Sequence, residues 1–360
     1  MGSSPTGPSD PPDRAALAAD CFAPLLGQPQ AVTLLTQAVM QDRIAPAYLF
    51  AGPAGTGRAL AARCFATLLC GLNLHDPRPT RGHRANLPPP TLDGLRHRID
   101  QDNHPDVLWV EASYQVQGRI IPLSQADAEG MKRKTPPQIR LAQVREVSQF
   151  LSRAPLEAVR HVVVLEQAET MGEGAANGLL KTLEEPGLAT LILLAPSVDR
   201  LLPTLVSRCQ RIPFQRLAEA DLAEILRRSN QAHLLENPRL LAQAEGSPGA
   251  AIELGDSLQS LDPDLLVQAQ DLPRSPRQAL ALARRISQEL DLDQQLWLLS
   301  YLQQCCWQAP YDQGPDRIGS LEEAKGLLRR SVQPRLVWEV MLLRLAGATV
   351  MPAGRSNSVF

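Results

Sequence analysis

Pro46-Ala47-Tyr48-Leu49-Phe50-Ala51-Gly52-Pro53-Ala54-Gly55-Thr56-Gly57-Arg58-Ala59 reads as a short buried strand running into a glycine-rich turn. The apolar run from Arg58 to Leu72 then reads as a helix. Strand, glycine turn and helix in that order form the α/β unit that cradles phosphates. In the intact loop, G-x-x-x-x-G-K-[ST], backbone N–H groups hold phosphate oxygens, the Lys neutralises the β/γ charge and the hydroxyl ligates magnesium. Gly52, Gly55 and Gly57 supply the turn. Arg58 stands at the Lys position, and a planar guanidinium does not reproduce a compact ammonium. Ala59 stands at the hydroxyl position and ligates nothing. The expectation is a vestigial phosphate loop without a magnesium site.

Taken alone, such a stretch reads better as a glycine turn with no nucleotide history. The companion carboxylate motif fails in the same direction. The β-branched run His161–Leu165 reads as a central parallel strand, which should end in an Asp supporting magnesium and a Glu polarising the attacking water. Glu166 and Gln167 stand there instead. Glu166 keeps a carboxylate on a longer arm, whereas an amide such as Gln167 accepts no proton and cannot act as general base. Two motifs have each lost catalytic atoms and kept their surroundings.

Further apolar runs complete a parallel α/β domain. Val107–Val110, Thr190–Ala195 and Cys209–Phe214 read as strands. Ile139–Arg153, Ala175–Glu184 and Leu201–Arg208 read as helices, the second stopped by Pro186-Gly187. His75–Arg98 reads as a loop or degraded insertion, and Ala112–Pro137 as an irregular mobile loop. Beyond Gln215 the patterning is helical: Glu219–Arg228, Pro238–Ala244, Gly249–Leu254, Arg277–Leu290, Gln294–Gln304, Leu321–Arg329 and Pro334–Leu345. The expected organisation is a disordered lead-in over 1–22, which contains a short helix from Ala15 to Phe22. An α/β domain over 23–215, a small helical domain over 216–257, a helical bundle over 268–347 and a loose tail over 348–360 follow.

Composition narrows the function classes. The chain has 360 residues, 44% hydrophobic, 21% charged and 4% aromatic, so its cores are built mainly from Leu, Ala, Val and Ile. A net charge of −2 provides no global basic field for tight nucleic-acid binding by the chain alone. Lys132-Arg133-Lys134, Arg227-Arg228, Arg284-Arg285 and Arg329-Arg330 read as solvated faces and loops. No run approaches the ~18 apolar residues of a membrane span, and Met1–Asp13 lacks the basic and apolar regions of a signal peptide. A cytoplasmic location is the expectation. The 6 cysteines do not pattern as a disulfide framework.

From Leu165 to Pro186 the chain reads LEQAETMGEGAANGLLKTLEEP, and Leu202–Cys209 reads LPTLVSRC. With the glycine loop before them, these segments resemble the clamp-loader branch of AAA+ proteins. With that loop disabled, the chain resembles the delta-prime type of bacterial DNA polymerase III subunit. The resemblance covers roughly 24–257. It implies an AAA+ P-loop NTPase-like domain, a helical lid carrying Gly246-Ser-Pro-Gly-Ala-Ala251, and a C-terminal all-α collar within a five-subunit ring. It also implies that Arg208, in Ser207-Arg208-Cys209, acts in trans as an arginine finger, which suits a permanently charged planar group facing a γ-phosphate. Implied partners are gamma/tau-type motor subunits, a delta-type subunit, and a sliding clamp and primer-template DNA through the complex, with no membrane.

Relatives of this type often carry a four-cysteine zinc module. Here Cys70 matches its first ligand, but only His75, His83, His97 and His104 follow, in no regular spacing. No metal or cofactor is expected, and Cys305-Cys306 read as buried helix residues. Pro196 and Ser197 depart from the family's Thr-rich ATP sensor. Three functions compete: a non-hydrolysing scaffold supplying Arg208, a motor subunit retaining weak nucleotide binding, and a regulator unrelated to replication. The continuous LLKTLEEP and LVSRC segments favour the first. DNA-directed DNA polymerase activity would then belong to the holoenzyme, not to this chain.

Overall fold

The structure, a computed structural model, describes residues 14–72, 91–116, 118–129, 136–271, 273, 275–307, 314–330 and 332–347. Met1–Asp13, His75, His83, Lys132-Arg133-Lys134 and the 348–360 tail lie outside the described residues. The chain divides into two units, residues 1–225 with 246–249, and residues 226–245 with 250–360.

In the first unit the order is α1 (Arg14–Phe22), α2 (Pro29–Met40), β1 (Ala47–Ala51), α3 (Arg58–Gly71), α4 (Leu92–Asp100) and β2 (Val107–Val110). Then come β3 (Ser113–Val116), β4 (Arg119–Pro122), α5 (Leu123–Ala128), α6 (Leu141–Leu151), β5 (His161–Leu165), α7 (Glu173–Glu184), β6 (Ala189–Ala195), α8 (Pro203–Val206) and β7 (Gln210–Pro213). Five strands form one parallel sheet in the order β2-β5-β6-β1-β7. This is the parallel-sheet, P-loop-like α/β fold expected above.

Period-two alternation divides each strand between two apolar layers. Tyr48 and Phe50 of β1, Val162 and Val164 of β5, and Ile192 and Leu194 of β6 join the helices α1 to α4 on one face. Ala47, Leu49, Val163, Leu165, Leu191 and Leu193 meet α6 and α7 on the other. A sheet covered on both faces is why these strands read as unbroken apolar runs. Each fully buried side chain such as Leu49 contributes roughly 1.5–3 kcal/mol.

Several expectations need correction. The helix expected over Ala15–Phe22 is present from Arg14, but it is no part of a disordered lead-in: Ala18, Cys21 and Phe22 are buried in the first layer. The loop expected over 75–98 ends in α4, capped by the Thr91 hydroxyl on the Gly94 N–H and anchored by buried Leu95 and Ile99. The irregular stretch expected over 112–137 contains an antiparallel hairpin, β3 with β4, and then α5. The buried Ser113 hydroxyl donates to the Gln143 side chain, which itself donates to the Glu111 carbonyl.

Helices follow: α9 (Glu219–Arg228), α10 (Pro238–Ala244), α11 (Pro248–Ser260), α12 (Pro263–Gln270), α13 (Pro276–Glu289), α14 (Leu292–Trp307), α15 (Gly314–Arg329) and α16 (Pro334–Leu345). The bundle starts earlier than residue 268, because α12 straddles that position and Leu261, Leu265 and Ala269 join its core. Trp338 is wholly buried there. Its indole N–H donates to Gln295 at 2.9 Å, and Gln295 donates to the Leu290 carbonyl at 2.8 Å. Cys305 and Cys306 are half-buried against this core, not fully buried. No helix among the described residues is long and apolar enough to cross a membrane.

Candidate functional site

Parallel register brings three predicted segments to one edge of the sheet. Ala51 of β1 pairs with Ala195 of β6, and Leu165 of β5 pairs with Leu193. The glycine loop, Glu166-Gln167 and Pro196-Ser197 therefore all leave the carboxyl ends of adjacent strands, where open α/β sheets place their ligands. Gly52 is tied in directly, its N–H donating to the Ala195 carbonyl at 3.2 Å. A side chain there is impossible without movement, since a Cβ would lie 2.3 Å from the Phe214 carbonyl oxygen. Gly55 and Gly57 take φ of 70° and 97°, the left-handed region that favours glycine. No backbone N–H from Ala54 to Ala59 has a hydrogen-bond partner among the described residues, so the loop keeps the polarity of a phosphate cradle.

Arg58 opens α3. Burial lowers its pKa, and the carboxylates of Glu169 and Glu166 oppose that shift. The guanidinium thus lies within the electrostatic reach of both acids. Glu166 accepts the Trp109 indole N–H at 2.9 Å, and Arg63 lies over the Trp109 ring at 4.2 Å. One Glu169 carboxylate oxygen is buried without a hydrogen-bond partner. Gln167 takes φ 55°, ψ 47°, uncommon for a non-glycine residue, and its carbonyl accepts both the N–H and the hydroxyl of Thr170. Sequence reading missed Trp109, Arg63 and Glu169. A Trp facing the strand that carries Glu166 was the available signal.

Arg208 lies elsewhere. It immediately precedes Cys209 and β7, whose first residue, Gln210, pairs with Tyr48 near the start of β1. The glycine loop leaves the other end of β1. At about 3.3 Å per residue, the Arg208 backbone is roughly 15–20 Å from Gly52 along the strand direction. Its guanidinium donates to the Thr204 carbonyl at 3.0 Å and pairs with Glu184 at 3.0 Å, with its side chain 39% exposed. The Ser207 hydroxyl donates to the same Thr204 carbonyl at 3.0 Å. Burial pushes the Cys209 thiol up to about 11. Glu184 belongs to the LLKTLEEP segment, so the two most specific motifs meet in this ion pair.

Cys70 is buried in α3, its thiol pushed well up by burial. Among the described residues, no group of three or more His, Cys, Asp and Glu is arranged to hold a metal ion. In the helical unit, a cavity of about 410 Å³ lined by Gln243, Glu253, Leu254, Asp291, Gln294 and Trp297 contains no predicted site residue.

Two family models match the chain in succession. Residues 27–218 match "DNA polymerase III, delta subunit", and residues 220–345 match "Cyanobacterial DNA polymerase III delta prime, C-terminal domain". The chain belongs to the DNA polymerase III delta-subunit family. It is 30% identical over 232 residues to DNA polymerase III subunit delta' of Bacillus subtilis, covering 63% of this chain and 59% of that one. With subunit delta' of Pseudomonas aeruginosa it shares 35% over 215 residues, 58% of this chain and 56% of the relative. Subunit tau of Bacillus subtilis is 25% identical over 252 residues, 68% of this chain and 39% of the relative. The chain thus spans less than two thirds of the length of these relatives.

Proposed function

We propose that the chain is a non-hydrolysing, delta-prime-type subunit of a DNA polymerase III clamp loader that supplies Arg208 to a neighbouring subunit's ATP site. The observation that carries this reading is the position of Arg208. It stands part-exposed at the opposite sheet edge from its own glycine loop, farther than an arginine side chain reaches. A phosphate it serves belongs to another chain. On the loop side, Arg58, Ala59 and Gln167 supply no compact ammonium, no hydroxyl ligand and no general base. Motor subunits of the gamma/tau type and a delta-type subunit are the implied partners. A sliding clamp and primer-template DNA are met through the assembled ring, the DNA by sequence-independent backbone contacts.

The unpartnered N–H groups of the loop favour a second reading, a motor subunit retaining weak nucleotide binding. Magnesium-dependent turnover by the pure chain separates the two, since the first reading expects none.

The experiment is clamp- and DNA-stimulated ATP turnover by a loader reconstituted with its motor subunits, wild type against Arg208→Ala. An arginine finger contributes on the order of 10³ or more at the site it serves. The exposed pair with Glu184 contributes at most about 1 kcal/mol to the fold. The variant is therefore expected to assemble and to lose most stimulated turnover. Unchanged turnover in an intact complex overturns the assignment.

A further inference from the structure

From Pro53 to Gly57 the carbonyls of the glycine loop are all engaged. Pro53 O accepts the Thr56 hydroxyl at 2.8 Å, and Ala54 O accepts the Ser247 hydroxyl at 2.8 Å. Gly55 O accepts the Gly249 N–H at 3.0 Å, Thr56 O accepts the Gln28 side-chain amide at 3.1 Å, and Gly57 O accepts the Ala61 N–H at 2.8 Å. Five successive carbonyls thus have partners, three of them from distant parts of the chain.

Gln28, 4% exposed, also donates to the Gln215 carbonyl at 2.7 Å and accepts the Gln215 N–H at 3.2 Å. It clamps the loop to the segment leaving β7. From the other side comes the turn Gly246–Gly249, part of the same unit. Gly246 has φ 76°, and its carbonyl accepts the Leu217 N–H at 2.8 Å. Ser247 is 2% exposed. Gly249 has no positive φ to explain a glycine, but a Cβ there would lie 2.6 Å from the Gly55 Cα. Only glycine lets the two backbones approach so closely.

We propose that the vestigial phosphate loop serves as the seat of a latch, in which the Gly246–Gly249 turn holds the loop through chain contacts so that its conformation does not answer to nucleotide. This deepens the reading of a non-hydrolysing chain and rests on it. Here Ser247 and Gly249 bind the loop themselves.

The test is amide hydrogen exchange on the full chain with isotopically labelled glycine. The Gly249 N–H reports the latch, and the Gly52 N–H, bound to the Ala195 carbonyl, is the internal control. Gly249 is expected to exchange at least about 100-fold slower than an open chain, and saturating Mg-ATP to change that rate less than about twofold. Ser247→Ala removes one buried hydrogen bond and should speed Gly249 exchange about fivefold, leaving Gly52 unchanged. An unprotected Gly249, a Gly249 rate that Mg-ATP shifts about tenfold, or no effect of Ser247→Ala each overturns the latch. Arg208 is read separately, by turnover of the reconstituted complex, so either proposal can fail without the other.

Discussion

Asp106→Asn should loosen the whole first unit, and the cost can be worked out from three hydrogen bonds. The Asp106 side chain is completely buried. One carboxylate oxygen accepts the Leu156 N–H at 2.7 Å, and the other accepts the Glu157 and Ala158 N–H groups at 2.6 and 2.7 Å. Three successive amides thus converge on one anion and fix the turn that enters β5, the strand that delivers Glu166. An Asn keeps one oxygen, best placed to accept two of the three. Its NH2 group then faces the Leu156 N–H, donor against donor. His161 Nδ1 offers no rescue, because at 3.9 Å from that carboxylate oxygen it is beyond hydrogen-bond range. Losing one charge-assisted bond costs about 1.5–3 kcal/mol, and turning two others into neutral ones costs about 1 kcal/mol each, for a total of about 3.5–5 kcal/mol. Exchange of the β5 core amides reads this unit alone, and their rates should rise about 100-fold or more. A rise below about fivefold, equivalent to roughly 1 kcal/mol, would refute the reasoning and mean that the turn is held by its packing.

Gly52→Ala should destabilise the first unit by about 1–3 kcal/mol through the contact of its Cβ with the Phe214 carbonyl, whereas Gly172→Ala, with nothing within 4 Å, should leave the thermal midpoint nearly unmoved. For Cys209, burial raises the thiol from 9.0 to about 11. Its contribution to stability is complete below pH 9.0 and is lost as pH rises towards about 11, because only the unfolded chain ionises in that window. Thermal midpoints measured across the window should therefore fall less steeply with pH in Cys209→Ala than in the wild type.

The centre of the sheet could be read from the sequence because β1, β5 and β6 are buried on both faces and announce themselves as local apolar runs. The five runs read as strands are β1, β2, β5, β6 and β7, each within a residue or two of the observed bounds. The hairpin β3–β4 had no such signal. Tyr114 and Ile121 pair across it, but Gln115, Arg119 and the surrounding polar residues break any short periodicity. Helix α4 was hidden for a related reason: only Leu95 and Ile99 of its nine residues are buried, too few to mark a face. Side-chain partnerships at long range were invisible for a more basic reason. Nothing in the spacing of Trp109 and Glu166, Arg208 and Glu184, or Gly249 and Gly55 predicts contact. Those pairings exist only once β-strand register and the return of the chain after β7 are set.

Arg58 gives the proposed non-hydrolysing reading a physical logic. A carboxylate with a buried, unpaired oxygen, as Glu169 has, is costly unless a cation lies near it. Arg58 supplies a cation that is tethered to the helix start and never dissociates, and the two acids Glu169 and Glu166 in turn favour its charged form against burial. On the proposed non-hydrolysing reading, Ala59 has no metal to ligate, and the absence of a hydroxyl there costs nothing. A permanent cation at Arg58, an amide at Gln167 and a loop seated by Ser247 and Gly249 are each consistent with the proposed nucleotide-independent chain. Arg58→Ala would therefore leave the buried oxygen of half-buried Glu169 without its neighbouring cation.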